Sequence, residues 1–127
     1  MKEWVLYLIS VASIVALVVL FQVAGPYYEV GIASWYGPGF DGNHTANGEI
    51  YDMNGISAAH KTLPFGTIVK VVELSTGRSV VVRINDRGPF IEGRIIDLSK
   101  GAAEKLGIVD KGITKVGLRI LHWPSDH

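Results

Sequence analysis

The chain has 127 residues, no cysteine, and twelve basic against twelve acidic residues, for a formal net charge of zero. That length supports one domain, the missing cysteine excludes a disulfide framework, and the balanced charge leaves no basic excess to hold nucleic-acid phosphates. The hydrophobic share of 48% is inflated by the first two dozen residues; from about Pro26 onward the composition is that of an ordinary globular domain.

Lys2 and Glu3 precede Trp4, and an uncharged apolar run follows from Val5 to Gly25. As a helix rising ~1.5 Å per residue it would span roughly 30 Å, about one bilayer core. Trp4 at one end and Tyr27 and Tyr28 at the other suit the two interfaces. The run lacks the polar positions, one helical turn apart, that a soluble core helix shows. The alternative is a cleaved secretory signal. Against it, Glu3 offsets Lys2, the run exceeds the ~7–15 apolar residues of a signal core, and the small-residue cleavage pattern is poor. Residues 1–26 are therefore expected to be a single-pass membrane anchor or, alternatively, a signal that leaves a secreted domain. Both place residues 27–122 on the periplasmic or cell-wall side, followed by a frayed tail, residues 123–127.

Past the apolar run, Gly, Asn, Asp and Pro cut the chain into short segments. Glu29 to Tyr36 reads as a strand, Gly37 to Gly48 as a polar loop, Gly48 to Tyr51 as a short strand, and Ser57 to Lys61 as one helical turn. Thr67 to Leu74 and Ser79 to Asn85 are the clearest strands, rich in Val and Ile, joined by a turn in which Gly77 supplies a positive φ. Arg94 to Leu98 is another strand. Ser99 caps a helix through Leu106 with Gly107 as its stop, and Val116 to Leu121 is the last strand. Six short strands and one short helix in this length predict an all-β fold, a small closed barrel that leaves no open sheet edge.

Five segments recur together in order: Gly31-Ile-Ala-Ser-Trp-Tyr-Gly37, Thr45-Ala-Asn-Gly-Glu49, Ala58-Ala-His-Lys-Thr-Leu-Pro-Phe-Gly-Thr67, Asn85-Asp-Arg-Gly-Pro-Phe90 and Arg94-Ile-Ile-Asp-Leu-Ser99. The set resembles the rare lipoprotein A (RlpA-like) family, the septal-ring lytic transglycosylases, over about residues 30 to 121. The resemblance implies a six-stranded double-psi β-barrel with one or two short helices, a fold shared with expansins. It also implies endolytic cleavage of peptidoglycan MurNAc-GlcNAc strands to 1,6-anhydro-MurNAc ends, with peptide-free glycan preferred. Members carry a lipobox cysteine, which this chain lacks; the apolar N-terminal run takes its place as the tether.

A lytic transglycosylase needs one acid, which protonates the glycosidic oxygen and then accepts the proton of the sugar's own 6-hydroxyl. A hydrolase of the usual kind needs two carboxyls at a set separation. Asp86 is the first candidate: it ends an apolar strand and opens a Gly-Pro turn, which places its carboxyl at a barrel mouth, and it matches the family's Asp-Arg-Gly-Pro motif. Glu49 and His60 match further motif residues. Glu49 is a candidate acid or substrate clamp, and His60 a sugar donor, a modulator of a nearby carboxylate, or a buried structural histidine. Trp35 and Tyr36 point to opposite sides of a strand, so that one packs the core and the other meets a sugar ring. Thr45 and Asn47 are expected to donate to sugar hydroxyls, Arg87 to orient Asp86 or hold an anion, and Asp97 to bond backbone at a strand end. The four histidines show no metal-ligand spacing, and neither a metal nor a cofactor is expected. The partners implied are the glycan and, through the N-terminal helix, the membrane, with envelope or division proteins open. The rival functions are an expansin-like wall-binding or loosening module and an envelope scaffold.

Overall fold

Two Val- and Ile-rich runs flank Ser75–Arg78, and they fold back on each other as an antiparallel hairpin. Gly77 takes φ 76° in the turn, the backbone conformation only glycine adopts without strain. In the computed structural model, which describes residues 27–125, this hairpin is part of a closed barrel. The strands are β1 (Glu29–Trp35), β2 (Ser57–His60), β3 (Ile68–Glu73), β4 (Ser79–Asp86), β5 (Arg94–Leu98) and β6 (Thr114–His122), with helix α1 (Lys100–Leu106) between the last two. Around the barrel the order is β1-β5-β2-β4-β3-β6. Two pairings are parallel, β1 with β5 and β2 with β4; the other four are antiparallel. The expected six-stranded barrel with little helix is therefore what forms. The apolar run assigned to an anchor or signal lies outside the described residues, and among the described residues no helix is long and apolar enough to cross a membrane.

Alternation along β4 turns Val80, Val82 and Ile84 inward and leaves Ser79 and Val81 exposed. These meet Ala33, Val69, Val71, Ile96, Leu98, Val116 and Leu118 in one core. Helix α1 closes it with Ala102, Ala103 and Leu106, all fully buried. The helix begins and ends as expected. Ser99 accepts from the Ala102 amide at 3.2 Å, and Gly107, at φ 80°, donates back to the Ala103 and Glu104 carbonyls.

Two elements differ from the expectation. Ser57–His60 is not a helical turn but the strand β2, held between β4 and β5. Its alanines favour helix locally, but all four residues are buried, and small side chains are what a strand covered on both faces accommodates. Gly48–Tyr51 is not a strand; it contributes one bridge, His44 to Ile50, in a loop closed by its own hydrogen bonds. The last strand also starts earlier and ends later than its apolar residues suggest, because Thr114 and Lys115 pair with Ala33 and Ile32 of β1. Past it, Trp123 packs edge-on against Tyr28, with ring centroids 6.1 Å apart.

Both parallel pairs contain a bulge. Between β2 and β4, Ala58 faces Ile84 but Ala59 faces Asp86, so Asn85 is the extra residue. Between β1 and β5, Ile32 faces Arg94 but Ala33 faces Ile96, so Ile95 is the extra residue. A bulge shifts the side-chain alternation by one. Strict alternation from the buried Ile84 would turn Asp86 into the core; the bulge turns it to the outer face.

Candidate active site

The barrel rim that carries the ends of β1 and β4 and strand β5 surrounds an open cleft of about 340 Å³. Its walls include Ser34, Trp35, Tyr36, Phe40, the 86–91 turn, Arg94 and Asp97. The ladder explains why these meet. Ser34 faces Asp97 across β1 and β5, Asp97 faces Ala59 across β5 and β2, and Ala59 faces Asp86 across β2 and β4. Facing residues share a side of the sheet. Two carboxylates therefore point the same way on either side of one methyl group, with backbones two strand spacings, roughly 10 Å, apart.

Asp86 is held from three directions. Its Oδ1 accepts from the Ala46 amide at 2.9 Å and from the Arg87 amide at 2.9 Å, and its Oδ2 accepts from the Tyr36 hydroxyl at 2.7 Å. Burial first, then the hydrogen bond to Asp86, push the Tyr36 hydroxyl well above the usual phenol range, so it remains a donor at every pH of interest. The Tyr36 ring is fixed by Tyr51 at 4.9 Å and Phe40 at 5.7 Å, centroid to centroid. Trp35 also borders the cleft but packs against the core.

Glu49 is not in the cleft wall. It grips Arg83 with both oxygens, at 2.6 and 2.7 Å, and also accepts from Asn47 and Asn85. Those bonds, Arg83 first, lower its carboxyl to about 2, so at neutral pH it carries no proton to donate. The carboxylate thereby braces Arg83 against the 45–49 loop. Thr45 donates to the Asn47 side chain at 2.5 Å, and Asn47 donates to Glu49 at 2.9 Å and accepts from its amide. These bonds shape the loop that brings the Ala46 amide to Asp86.

His60 is also outside the cleft wall, and 3% exposed. Its Nδ1 accepts from the Thr62 and Leu63 amides, both at 3.1 Å, which leaves the proton on Nε2, 2.7 Å from Glu29. His60 thus shapes the 60–63 turn through Nδ1 and meets the Glu29 carboxylate through Nε2. That turn holds Arg87, whose Nη1 donates to the Leu63 carbonyl at 2.8 Å and whose guanidinium lies 3.9 Å from the Phe65 ring centroid. Arg87 is thereby fixed and orients Asp86 through its amide.

Asp97 is the cleft residue that its sequence context hides. It follows two buried isoleucines and was expected to bond backbone; instead it lines the cleft and accepts from the Ser34 hydroxyl. Only the strand register, through the bulge at Ile95, reveals it.

The closed six-stranded barrel with its two parallel pairs is a double-psi β-barrel, with two aspartates at its rim cleft. The profile of the family described as lytic transglycolase matches residues 28–118, and the chain belongs to that family. A protein of Synechocystis sp. called a probable endolytic peptidoglycan transglycosylase RlpA is 64% identical over 91 residues, covering 72% of this chain and 28% of that protein. The endolytic peptidoglycan transglycosylase RlpA of Campylobacter jejuni is 55% identical over 97 residues, covering 76% and 35%. The chain thus spans about a third of the length of the curated relatives it matches. Among solved structures, the Streptomyces papain inhibitor shares the fold at TM-score 0.60 and 24% identity, over 76% of this chain and 98% of that one. An expansin of Clavibacter michiganensis does so at TM-score 0.58 and 24% identity, over 76% and 51%.

Proposed function

We propose that this barrel is an endolytic lytic transglycosylase of peptidoglycan, cutting MurNAc-GlcNAc strands and leaving 1,6-anhydro-MurNAc ends. The observation that carries the reading is Asp86, re-aimed by a bulge into an open cleft and hydrogen-bonded to a protonated tyrosine. The names borne by relatives at 55% to 64% identity support it. Asp86 protonates the glycosidic oxygen as the bond to the anomeric carbon breaks. The resulting carboxylate then takes the proton of the 6-hydroxyl as that oxygen closes on the same carbon, so no water is consumed. Two backbone amides fix one carboxyl oxygen, and the Tyr36 hydroxyl steadies the other in its charged form. Phe40 and Phe90, 55% and 82% exposed, offer apolar faces to sugar rings at the rim.

The test is the chemistry of the product. Incubation with purified glycan strands, followed by mass spectrometry, is expected to yield anhydro-muramic ends. Ordinary reducing ends would instead assign the two cleft aspartates to a hydrolase, and binding without cleavage would assign the domain to an expansin-like module. The membrane tether is part of this proposal and rests on the apolar run alone; sequencing the mature N-terminus tests it, since a chain starting near Pro26 would rule it out.

Glu49 acts through position rather than chemistry. Glu49→Gln breaks the two-point grip on Arg83 and loosens the loop that places the Ala46 amide. The expected outcome is a kcat lower by about tenfold with KM nearly unchanged. Reversing the pair, Glu49→Arg with Arg83→Glu, should recover part of it; steady-state kinetics on both variants decides.

A further inference from the structure

The cleft wall contains two cations, and they differ in one respect. Arg87 is tied to the Leu63 carbonyl and lies over Phe65. Arg94 reaches the same cleft, yet among the described residues no hydrogen bond or ion pair ends on its guanidinium; its backbone amide donates to the Ile91 carbonyl at 3.1 Å. Arg83, by contrast, is neutralised by Glu49. The direction of Arg94 follows from the register. Arg94 faces Ile32, and Asp97 faces Ser34. Ile32 and Ser34, two apart on β1, share a side. The bulge at Ile95 therefore puts Arg94 and Asp97, three residues apart, on one face, where plain alternation would oppose them.

An uncommitted guanidinium in an open cleft is a ready partner for a carboxylate, which its planar fork meets with two parallel hydrogen bonds. A glycan of alternating GlcNAc and MurNAc offers hydroxyl and acetamido groups and one kind of anion, the lactyl carboxylate of MurNAc. That carboxylate is free only when the stem peptide has been removed; otherwise it is a neutral amide bearing a bulky chain. We propose that Arg94 is the subsite that reads the free lactyl carboxylate of a peptide-stripped muramoyl ring, and that it makes the cleft selective for such strands. This rests on the peptidoglycan reading above and adds the residue and the chemical group that set its preference. Arg94 also offsets the two aspartates, which would otherwise repel an anionic ring from the cleft.

The experiment compares two forms of one substrate: peptide-free strands, and the same strands with the lactyl carboxyl converted to a methylamide. The full chain in mild detergent is titrated with each by calorimetry, and cleavage is followed in parallel by mass spectrometry. The unmodified protein is expected to bind the carboxylate form at least about tenfold more tightly. Arg94→Gln should erase the difference, and Arg94→Lys should restore part of it. Equal binding of both forms by the unmodified protein overturns the proposal with no variant needed, as does an Arg94→Gln variant that weakens both forms alike. Selective binding without cleavage would sustain the subsite and sink the transglycosylase. Cleavage of both forms with equal affinity would do the reverse, and binding of neither form overturns both.

Discussion

Asp86→Asn is expected to lower glycan cleavage by roughly 10²–10⁴-fold while leaving the domain folded. The substitution keeps the shape of the side chain. Its carboxamide oxygen still accepts from the Ala46 and Arg87 amides, which now hold Oδ1 at 2.9 Å each. Its amino group faces the Tyr36 oxygen, which turns from donor to acceptor. Only the capacity to give and take a proton is lost. Counting anhydro ends against time, beside a thermal melt that shifts by no more than a few degrees, checks both halves. Asp97→Asn is the informative control, because the two carboxylates flank Ala59 on the same face. If Asp97→Asn abolishes cleavage and Asp86→Asn leaves it intact, the acid is Asp97 and the present assignment fails.

That control is needed because of what the sequence does and does not reveal. The hairpin of β3 and β4, the strand β5 and both caps of α1 are written in local chemistry: β-branched alternation, Gly77 in the turn, Ser99 and Gly107 at the helix ends. β2 is not, since Ala58 and Ala59 are placed by their neighbours rather than by their own preference. The candidate site divides in the same way. Asp86 stands at a strand end before a Gly-Pro turn, so its place at the rim is legible. Its outward direction is not, since that depends on the bulge at Asn85, a property of pairing between strands far apart in the chain. Glu49 and His60 are recognisable as motif residues, but a motif does not say which side chain faces which. One clamps Arg83 and the other shapes a turn, and both reach Asp86 only through backbone amides. Asp97 and Arg94 are concealed by the second bulge, which places them together on the cleft face.

Glu73 predicts the largest effect on stability, and it stands apart from the cleft. It ends β3 at 1% exposure. Thr76 donates to one carboxyl oxygen at 2.6 Å; Thr114 and Lys111 donate to the other at 2.7 and 2.5 Å. One buried carboxylate thus joins the hairpin turn, the start of β6 and the segment leading into it, where β3 and β6 close the barrel. Burial alone would raise its pKa; Lys111, Thr76 and Thr114 outweigh burial and bring it down to about 2. A carboxyl whose folded pKa lies below its unfolded value stabilises the fold above the unfolded value and loses that contribution as pH falls through the folded one. The denaturant midpoint is therefore expected to decline between about pH 5 and pH 2, with Glu49, also near 2, adding to the slope. Glu73→Gln should cost on the order of 3 kcal/mol at pH 7, or roughly 10–20 °C in Tm, because the amide cannot accept at both ends and turns a donor toward Lys111 or Thr76. Near pH 2 the variant and the parent should converge, since the parent's carboxyl is then losing its charge. A variant as stable as the parent at pH 7, or one that keeps the full acid slope, would show that closure of the barrel does not depend on this buried charge.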